Sequence, residues 1–99
     1  MIYELRSTET FDKWLASLKD RSVKNRLLAR LGRVENGNFG DFKQVGGNLY
    51  ELRFFFGGGL RVYYTVRDGR VVLLLAAGDK STQAKDIEKA AEILRDLEA

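Results

Sequence analysis

From residue 40 to residue 78 the apolar side chains recur with period two, and glycine cuts the run three times: "GGN" at 46–48, "GGG" at 57–59 and "DG" at 68–69. A period of two sends successive side chains to opposite faces of a sheet. Glycine supplies the positive φ values that tight turns need. The chain has no proline, so its turns rest on Gly, Asn and Asp. This pattern predicts an antiparallel meander of four strands: "DFKQV" (41–45), "LYELRFFF" (49–56), "LRVYYTVR" (60–67) and "RVVLLLAAG" (70–78). Asp68 and Gly69 read as a two-residue hairpin turn of the I′ kind. The last strand is apolar on both faces, which points to an interior place covered on both sides.

The flanks change to helical spacing. After a short alternating strand at 2–6, Phe11, Trp14, Leu15 and Leu18 fall on one helical face, with Ser7 or Thr8 as cap. Asp20 or Ser22 caps a second helix whose stripe is Val23, Leu27, Leu31 and Val34, and Gly37 closes it. The C-terminal segment is a third helix, capped by Ser81 or Thr82, with Ala84, Ile87, Ala91, Leu94 and Leu97 facing inward. The expected order is β-α-α-β-β-β-β-α. This is an α+β fold: a twisted, mostly antiparallel sheet with two N-terminal helices on one face and a C-terminal helix. It forms one domain over residues 1–99.

Composition narrows the chemistry. The 99 residues include no Cys and no His, so thiolate nucleophiles, imidazole acid–base groups and the commonest metal ligands are missing. No cofactor or metal is implied. Any catalysis must use Lys, Arg, Tyr, Asp, Glu or backbone groups. The net charge is +3, and residues 81–99 hold five acids against three bases, so the rest of the chain is the basic part. A polyanionic partner suits that balance. "MIYELRSTETF" lacks a signal-peptide core, and "VVLLLAA" is too short to span a membrane. The cytoplasm is the expected compartment.

Strand register brings cations together. Counted back from the Asp68–Gly69 turn, Arg61 falls opposite Ala76, and Lys80 leaves the sheet at the same rim. A three-residue "GGG" loop would pair Phe56 with Leu60 and Arg53 with Tyr63. Arg53, Arg61 and Tyr63 then share a face, unless a bulge at the glycines flips Arg53. Lys43 lies off that face with a two-residue "GG" turn and on it with a three-residue turn. A basic side chain on a strand is ordinarily the solvated side of a half-covered sheet, and Lys43, Arg67 and Arg70 read that way. Tyr64 shares a face with Leu60, Val62 and Val66 and reads as core. At least one of Phe54, Phe55 and Phe56 must be exposed or covered by a helix or a partner.

Three stretches carry a resemblance: "NFGDFKQVGGNLYELRF" (38–54), "GGGLRVYYT" (57–65) and "LLLAAGDKSTQAKDIEKA" (73–90). From Phe11 to about Leu94 the chain resembles the RelE/ParE toxin superfamily, most closely its HigB-like branch of addiction-module killer proteins. "GDKSTQ" followed by "DI" after an apolar strand is the most specific part. Leu60 stands where the branch more often has an aromatic, and "AKD" lacks the Tyr that RelE-like toxins use in RNA cleavage. The resemblance implies the toxin of a type II toxin–antitoxin pair. RelE-like members cut mRNA on the ribosome, whereas ParE-like members inhibit DNA gyrase without catalysis. A plain RNA-binding module is a third reading. Arg61 and Lys80 match positions tied to RNA cleavage, which favours a metal-independent endoribonuclease that inhibits translation.

In that reading Arg61 forks the scissile phosphate, Lys80 assists the leaving group and Arg53 adds a second phosphate contact. Lys43, Tyr63, Ser81 and Gln83 are candidate RNA contacts. Tyr63, Asp79 or a lysine could serve as general base. Truncating Arg61 or Lys80 at a rim is expected to leave the fold intact. The implied partners are mRNA on the ribosome and a cognate helix-turn-helix antitoxin, with room for a higher oligomer of toxin and antitoxin. That antitoxin is expected to dock away from the rim, on the face around Trp14 and on the exposed member of Phe54–Phe56.

Overall fold

The computed structural model describes residues 2–99. The elements are β1 (Glu4–Ser7), α1 (Glu9–Ser17), α2 (Arg21–Glu35), β2 (Phe42–Gln44), β3 (Tyr50–Arg53), β4 (Arg61–Arg67), β5 (Val71–Gly78) and α3 (Gln83–Glu98), with a 3-10 turn at Lys80–Thr82. The five strands form one sheet in the order β1-β5-β4-β3-β2. β1 is parallel to β5, and every other pair is antiparallel. The α+β class and the element order are as the sequence predicts.

Local chemistry sets the ends of the elements. Thr8 caps α1: its Oγ1 accepts from the Phe11 N–H and donates to the Leu75 carbonyl at 2.7 Å, so one hydroxyl both starts the helix and ties it to β5. Asp20 caps α2 through the N–H groups of Ser22 and Val23. Gly37, at φ 88°, ends α2. Its N–H bonds the Val34 carbonyl, and the Asn38 N–H bonds the Arg33 carbonyl, which is a Schellman closure.

The sheet has a core on each face. Phe11, Leu27, Leu31, Val34, Leu52, Phe54, Leu60, Val62, Tyr64, Val72 and Leu74 are packed beneath α1 and α2. Leu49, Tyr63, Leu75, Ala76, Ala90 and Leu94 are packed beneath α3. β5 is therefore covered on both sides, as its unbroken apolar run predicts. Tyr64 is core, stacked between Phe39 and Tyr50.

Several boundaries and registers differ from the sequence reading. β1 begins at Glu4, where its N–H reaches the Arg70 carbonyl, because the Ile2 and Tyr3 N–H groups are taken by the Glu35 carbonyl at the end of α2. β3 stops at Arg53, because Phe54 closes a long loop by donating to the Leu60 carbonyl. Arg53 thus faces Arg61 instead of Tyr63, and Phe56 does not pair with Leu60. The shift is two residues, so Arg53 keeps the predicted face. The Asp68–Gly69 turn forms as predicted, with both residues at positive φ and Arg70 N–H on the Arg67 carbonyl. The ladder then starts with Arg67 opposite Val71, and a bulge at Tyr63/Tyr64 slides it once more. Leu75 is the extra residue, so Leu75 and Ala76 both turn to α3, and Arg61 lies opposite Gly78 instead of Ala76. On α3 the inward stripe is Ile87, Ala90, Ala91 and Leu94; Ala84 and Leu97 are exposed. Ala90, which the sequence reading left out, is the deepest of them.

Candidate functional site

The rim is built by two turns that dock on each other. Gly57, Gly58 and Gly59 all hold positive φ, between 61° and 78°, a region closed to most other residues. The chain there folds back tightly, and the Gly58 carbonyl accepts from the Lys80 N–H at 3.4 Å. A methyl group on Gly59 would lie 2.9 Å from Arg61 Nη1 and 3.4 Å from Lys80 Cβ. The glycine loop and the turn after β5 therefore set Arg61 and Lys80 side by side, as the sequence geometry predicts.

Arg53 joins them from the neighbouring strand, directly opposite Arg61 in the ladder. Its Nη2 is 3.4 Å from Asp41 Oδ1. Its backbone carbonyl accepts from Arg30 Nη1, while Arg30 Nη2 donates to the carbonyls of Phe39 and Asp41 at 2.9 Å each. Arg30 is half-buried and staples α2 to the strand that carries Arg53. Burial, the largest influence, pulls its pKa below the usual arginine value. Asp41, Arg53, Phe54, Phe55, Gly59, Arg61 and Lys80 line one solvent-open groove of about 320 Å3. Lys80 is exposed and forms no ion pair among the described residues.

Beneath the groove lies a polar layer that the sequence reading did not include. Glu51 is wholly buried, opposite Tyr63 and in the same face as Arg53 and Arg61. Its Oε1 accepts from Gln83 Nε2 at 2.8 Å and stands 3.8 Å from Arg61 Nε. Arg61 is only 13% exposed along its side chain, and its Nη1 donates to the Gly59 carbonyl. Glu51 Oε2, Arg61 Nε and the Tyr63 hydroxyl are buried without a hydrogen bond of normal geometry. Glu51 stands opposite Tyr63 in the ladder and is the acidic neighbour of Arg61. Burial first and the Glu51 charge second raise the Tyr63 pKa far above the usual phenol value. That keeps the hydroxyl protonated and unsuited to act as a base.

The stretch 78–86 assembles this layer one residue at a time. At Gly78 a methyl group would fall 1.9 Å from Asp86 Oδ2, so only glycine lets the first turn of α3 sit on β5. Asp79 Oδ1 accepts from the Ser81 N–H at 2.8 Å and from the Ser81 hydroxyl at 2.5 Å. The hydroxyl bond is the larger cause of a carboxyl pKa below the ordinary range. Thr82 Oγ1 donates to Asp86 Oδ2 at 2.5 Å. Lys80 is thus left as the side chain of this turn that reaches the groove.

The candidate contacts divide accordingly. Arg53, Arg61 and Lys80 converge. Lys43 shares their face, opposite Glu51 on the exposed edge strand, but does not line the groove. Tyr63 is wholly buried and has no surface to offer RNA. Ser81 is engaged with Asp79 and Gln83 with Glu51. Asp41, Glu51 and Arg30 were missed. The signal for Glu51 was available, because an acid two residues before Arg53 in "YELRF" must share its face.

Comparison with known proteins decides the family. Residues 13–97 match the phage-derived Gp49-like protein family. The chain belongs to that family. An uncharacterized protein of Haemophilus influenzae is 44% identical over 97 residues, covering 98% of both chains. Among solved structures, an arginine double mutant of E. coli toxin RelE in the free state superposes with a TM-score of 0.71 at 22% identity, covering 93% of this chain and 97% of that one. The intact E. coli RelBE toxin–antitoxin complex gives 0.62 at 25% identity, over 78% of this chain and 95% of the matched one. The RelE mutant bound to an antitoxin RelBc peptide also gives 0.62, at 22% identity, over 86% and 94%. This Gp49-like chain has the RelE fold and belongs to the RelE/ParE toxin superfamily.

Proposed function

We propose that this protein is the toxin of a type II toxin–antitoxin pair, of the HigB-like branch, and that it is a cytoplasmic endoribonuclease acting on mRNA held by the ribosome. The observation that carries the reading is the convergence of Arg53, Arg61 and Lys80 in one groove open to solvent. Three cations in so small a space repel one another, and Asp41 is the carboxylate that lines the groove with them. A phosphodiester in the groove would relieve that repulsion.

RNA brings its own nucleophile, the 2′-hydroxyl. Its oxygen forms a bond to phosphorus, the bond from phosphorus to the 5′-oxygen breaks, and the products are a 2′,3′-cyclic phosphate and a 5′-hydroxyl. Charge develops on the two non-bridging oxygens and on the leaving oxygen. Arg61 is held from behind by Glu51 and at Nη1 by Gly59, so its remaining donors meet that charge with little reorganisation. Arg53 binds the flanking phosphate. Lys80, exposed and without an ion pair among the described residues, supplies the proton to the 5′-oxygen. Asp41 is the carboxylate that lines the groove and is the best placed acceptor for the 2′ proton. Burial makes Tyr63 a poor candidate for that role, and the bonds that Asp79 Oδ1 accepts from Ser81 weaken it as a base. Catalysis then rests on side-chain cations and on alignment of the substrate, which the ribosome would complete.

A cognate helix-turn-helix antitoxin is the proposed protein partner, in keeping with the RelE structures solved with RelB. Primer extension on mRNA in a purified translation system tests the reading. Cuts inside the reading frame, with cyclic-phosphate ends and loss of cutting in Lys80→Ala, are expected. Intact mRNA together with inhibited gyrase supercoiling would replace it with the ParE-like function.

A further inference from the structure

Phe55 is 91% exposed, the most exposed large apolar side chain among the described residues. Its neighbours show why. Phe54 and Phe56 turn back to α2, where Arg30 lies 4.6 Å from one ring centroid and Arg26 lies 4.1 Å from the other. The residue between them, in the loop just past the end of β3, is left facing outward. Phe11, Phe39, Phe42, Phe54 and Phe56 each pack against another aromatic ring, and among the described residues Phe55 does not. The three glycines that follow have no side chains to cover it. The fold thus forgoes the burial of a whole phenyl ring at the wall of the groove that holds Arg53, Arg61 and Lys80.

We infer that Phe55 is a nucleobase platform: an unpaired base next to the scissile phosphate stacks on its open ring face. The inference rests on the nuclease reading and deepens it by assigning the base subsite. Three features favour single-stranded RNA over a protein anchor. The ring shares its groove with cations that match phosphates. A groove of about 320 Å3 is at the small end of the usual range for ligand sites, about 300–1,000 Å3, which suits a nucleotide and not a helix. Aromatic stacking beside a basic track is the usual way to hold single strands, and it tolerates any base. The exposed phenylalanine therefore belongs to the rim, not to a separate apolar patch for the antitoxin. Trp14 lies elsewhere, half-buried against Phe11 at 5.8 Å.

The test compares wild type, Phe55→Ala and Phe55→Trp. Binding is read by anisotropy with a labelled oligouridylate decamer and with an abasic strand of the same length, and cutting is read in the purified translation system. Phe55→Ala should weaken decamer binding by about tenfold, leave abasic binding and thermal unfolding unchanged, and raise KM for mRNA more than it lowers kcat. Phe55→Trp should restore both. The salt dependence should not change with Phe55→Ala but should flatten with Arg53→Ala. If wild type cuts mRNA and Phe55→Ala binds and cuts as well as wild type, the platform is overturned while the nuclease reading stands. If wild type leaves mRNA intact and binds both strands equally, both fall. Loss of antitoxin binding in Phe55→Ala, with RNA binding unchanged, would make the ring a protein anchor and also overturn the inference.

Discussion

Replacing Arg61 by alanine should destabilise the protein markedly, although the residue sits at a rim. The sequence reading expects the opposite, and Glu51 is the reason for the change. Glu51 is wholly buried, and Arg61, 13% exposed, is the cation 3.8 Å away. Removing one member of a buried pair costs about 3–5 kcal/mol, because the other charge stays behind uncompensated. The 3.8 Å separation is longer than a direct charged hydrogen bond, and Arg61 retains some contact with water, so the cost falls somewhat below that range: about 2–3 kcal/mol. In a chain of this size that lowers Tm by roughly 10–20 °C. Glu51→Gln keeps the shape and removes the buried charge, including its unbonded Oε2. Arg61 is then the charge left behind, and its contact with water makes the loss smaller than in the reverse case, about 1–2 kcal/mol. The double variant should recover about 2 kcal/mol relative to the sum of the single ones. Urea unfolding of all four proteins closes the cycle. An Arg61→Ala cost within about 0.5 kcal/mol, or a coupling within the error of about 0.3–0.5 kcal/mol, would refute the buried-pair argument. If the double variant regains stability and stays inactive, Arg61 acts on the substrate and not only on the fold.

Lys80→Ala should leave stability within about 0.5 kcal/mol, since the side chain is exposed and forms no ion pair among the described residues, and should abolish mRNA cutting in the translation assay. Gly59→Ala places a methyl group at φ 78° and 2.9 Å from Arg61 Nη1; we expect a loss of about 1–2 kcal/mol with a larger fall in kcat than in the folded fraction. Gly78→Ala should cost about 2 kcal/mol, because Asp86 must swing away and give up its bond from Thr82, and Asp86→Ala in the same chain should recover most of it. Tyr63 and Tyr64 both have pKa values raised chiefly by burial. Below about pH 10 folded and unfolded phenols are alike protonated. Above it only the unfolded chain loses these protons, so stability should fall with rising pH. Phenolate absorbance should show Tyr63 and Tyr64 titrating only with alkaline unfolding.

What could be read from the sequence followed from periodicity, and what could not followed from single-residue shifts. The period change at residue 40, the stripes of the first two helices and the caps at Thr8, Asp20 and Gly37 depend on local chemistry, and each appears where the pattern puts it. Strand register depends on where extra residues are absorbed. The bulge at Leu75 leaves no mark in "VVLLLAA", because every residue there is apolar and suits either face. Arg61 and Lys80 still reached the same rim, since one or two residues of slip move cations along an edge and not away from it. Arg53 kept its face because the loop lengthened by an even number. Tyr63 was misjudged for a different reason: its face also carries α3, and a residue under a helix is closed to RNA however well it lines up with Arg61.

The polar layer explains why a cationic site can stand without histidine. A bare arginine at a sheet edge samples many rotamers, and ordering it when substrate binds costs binding energy. Here that ordering is done during folding. Gln83 fixes Glu51, Glu51 faces the Arg61 Nε, and the Gly59 carbonyl holds Nη1. Gln83 in turn depends on the turn that Asp79 and Ser81 close, and on Gly78, which lets α3 approach. The stretch that most resembles the toxin branch is thus largely scaffold: of Gly78, Asp79, Lys80, Ser81, Thr82 and Gln83, only Lys80 lines the groove. Changes at Gln83 should accordingly act through Arg61. Gln83→Ala leaves Glu51 Oε1 without its 2.8 Å donor and should cost about 1–3 kcal/mol. It should also lower kcat for mRNA cutting with KM little changed, because Arg53 and Lys80 still hold the substrate. Gln83→Glu sets two carboxylates against each other and should be worse than alanine on both counts. Equal activity in the three proteins, each corrected for folded fraction, would show that Arg61 needs no support from below.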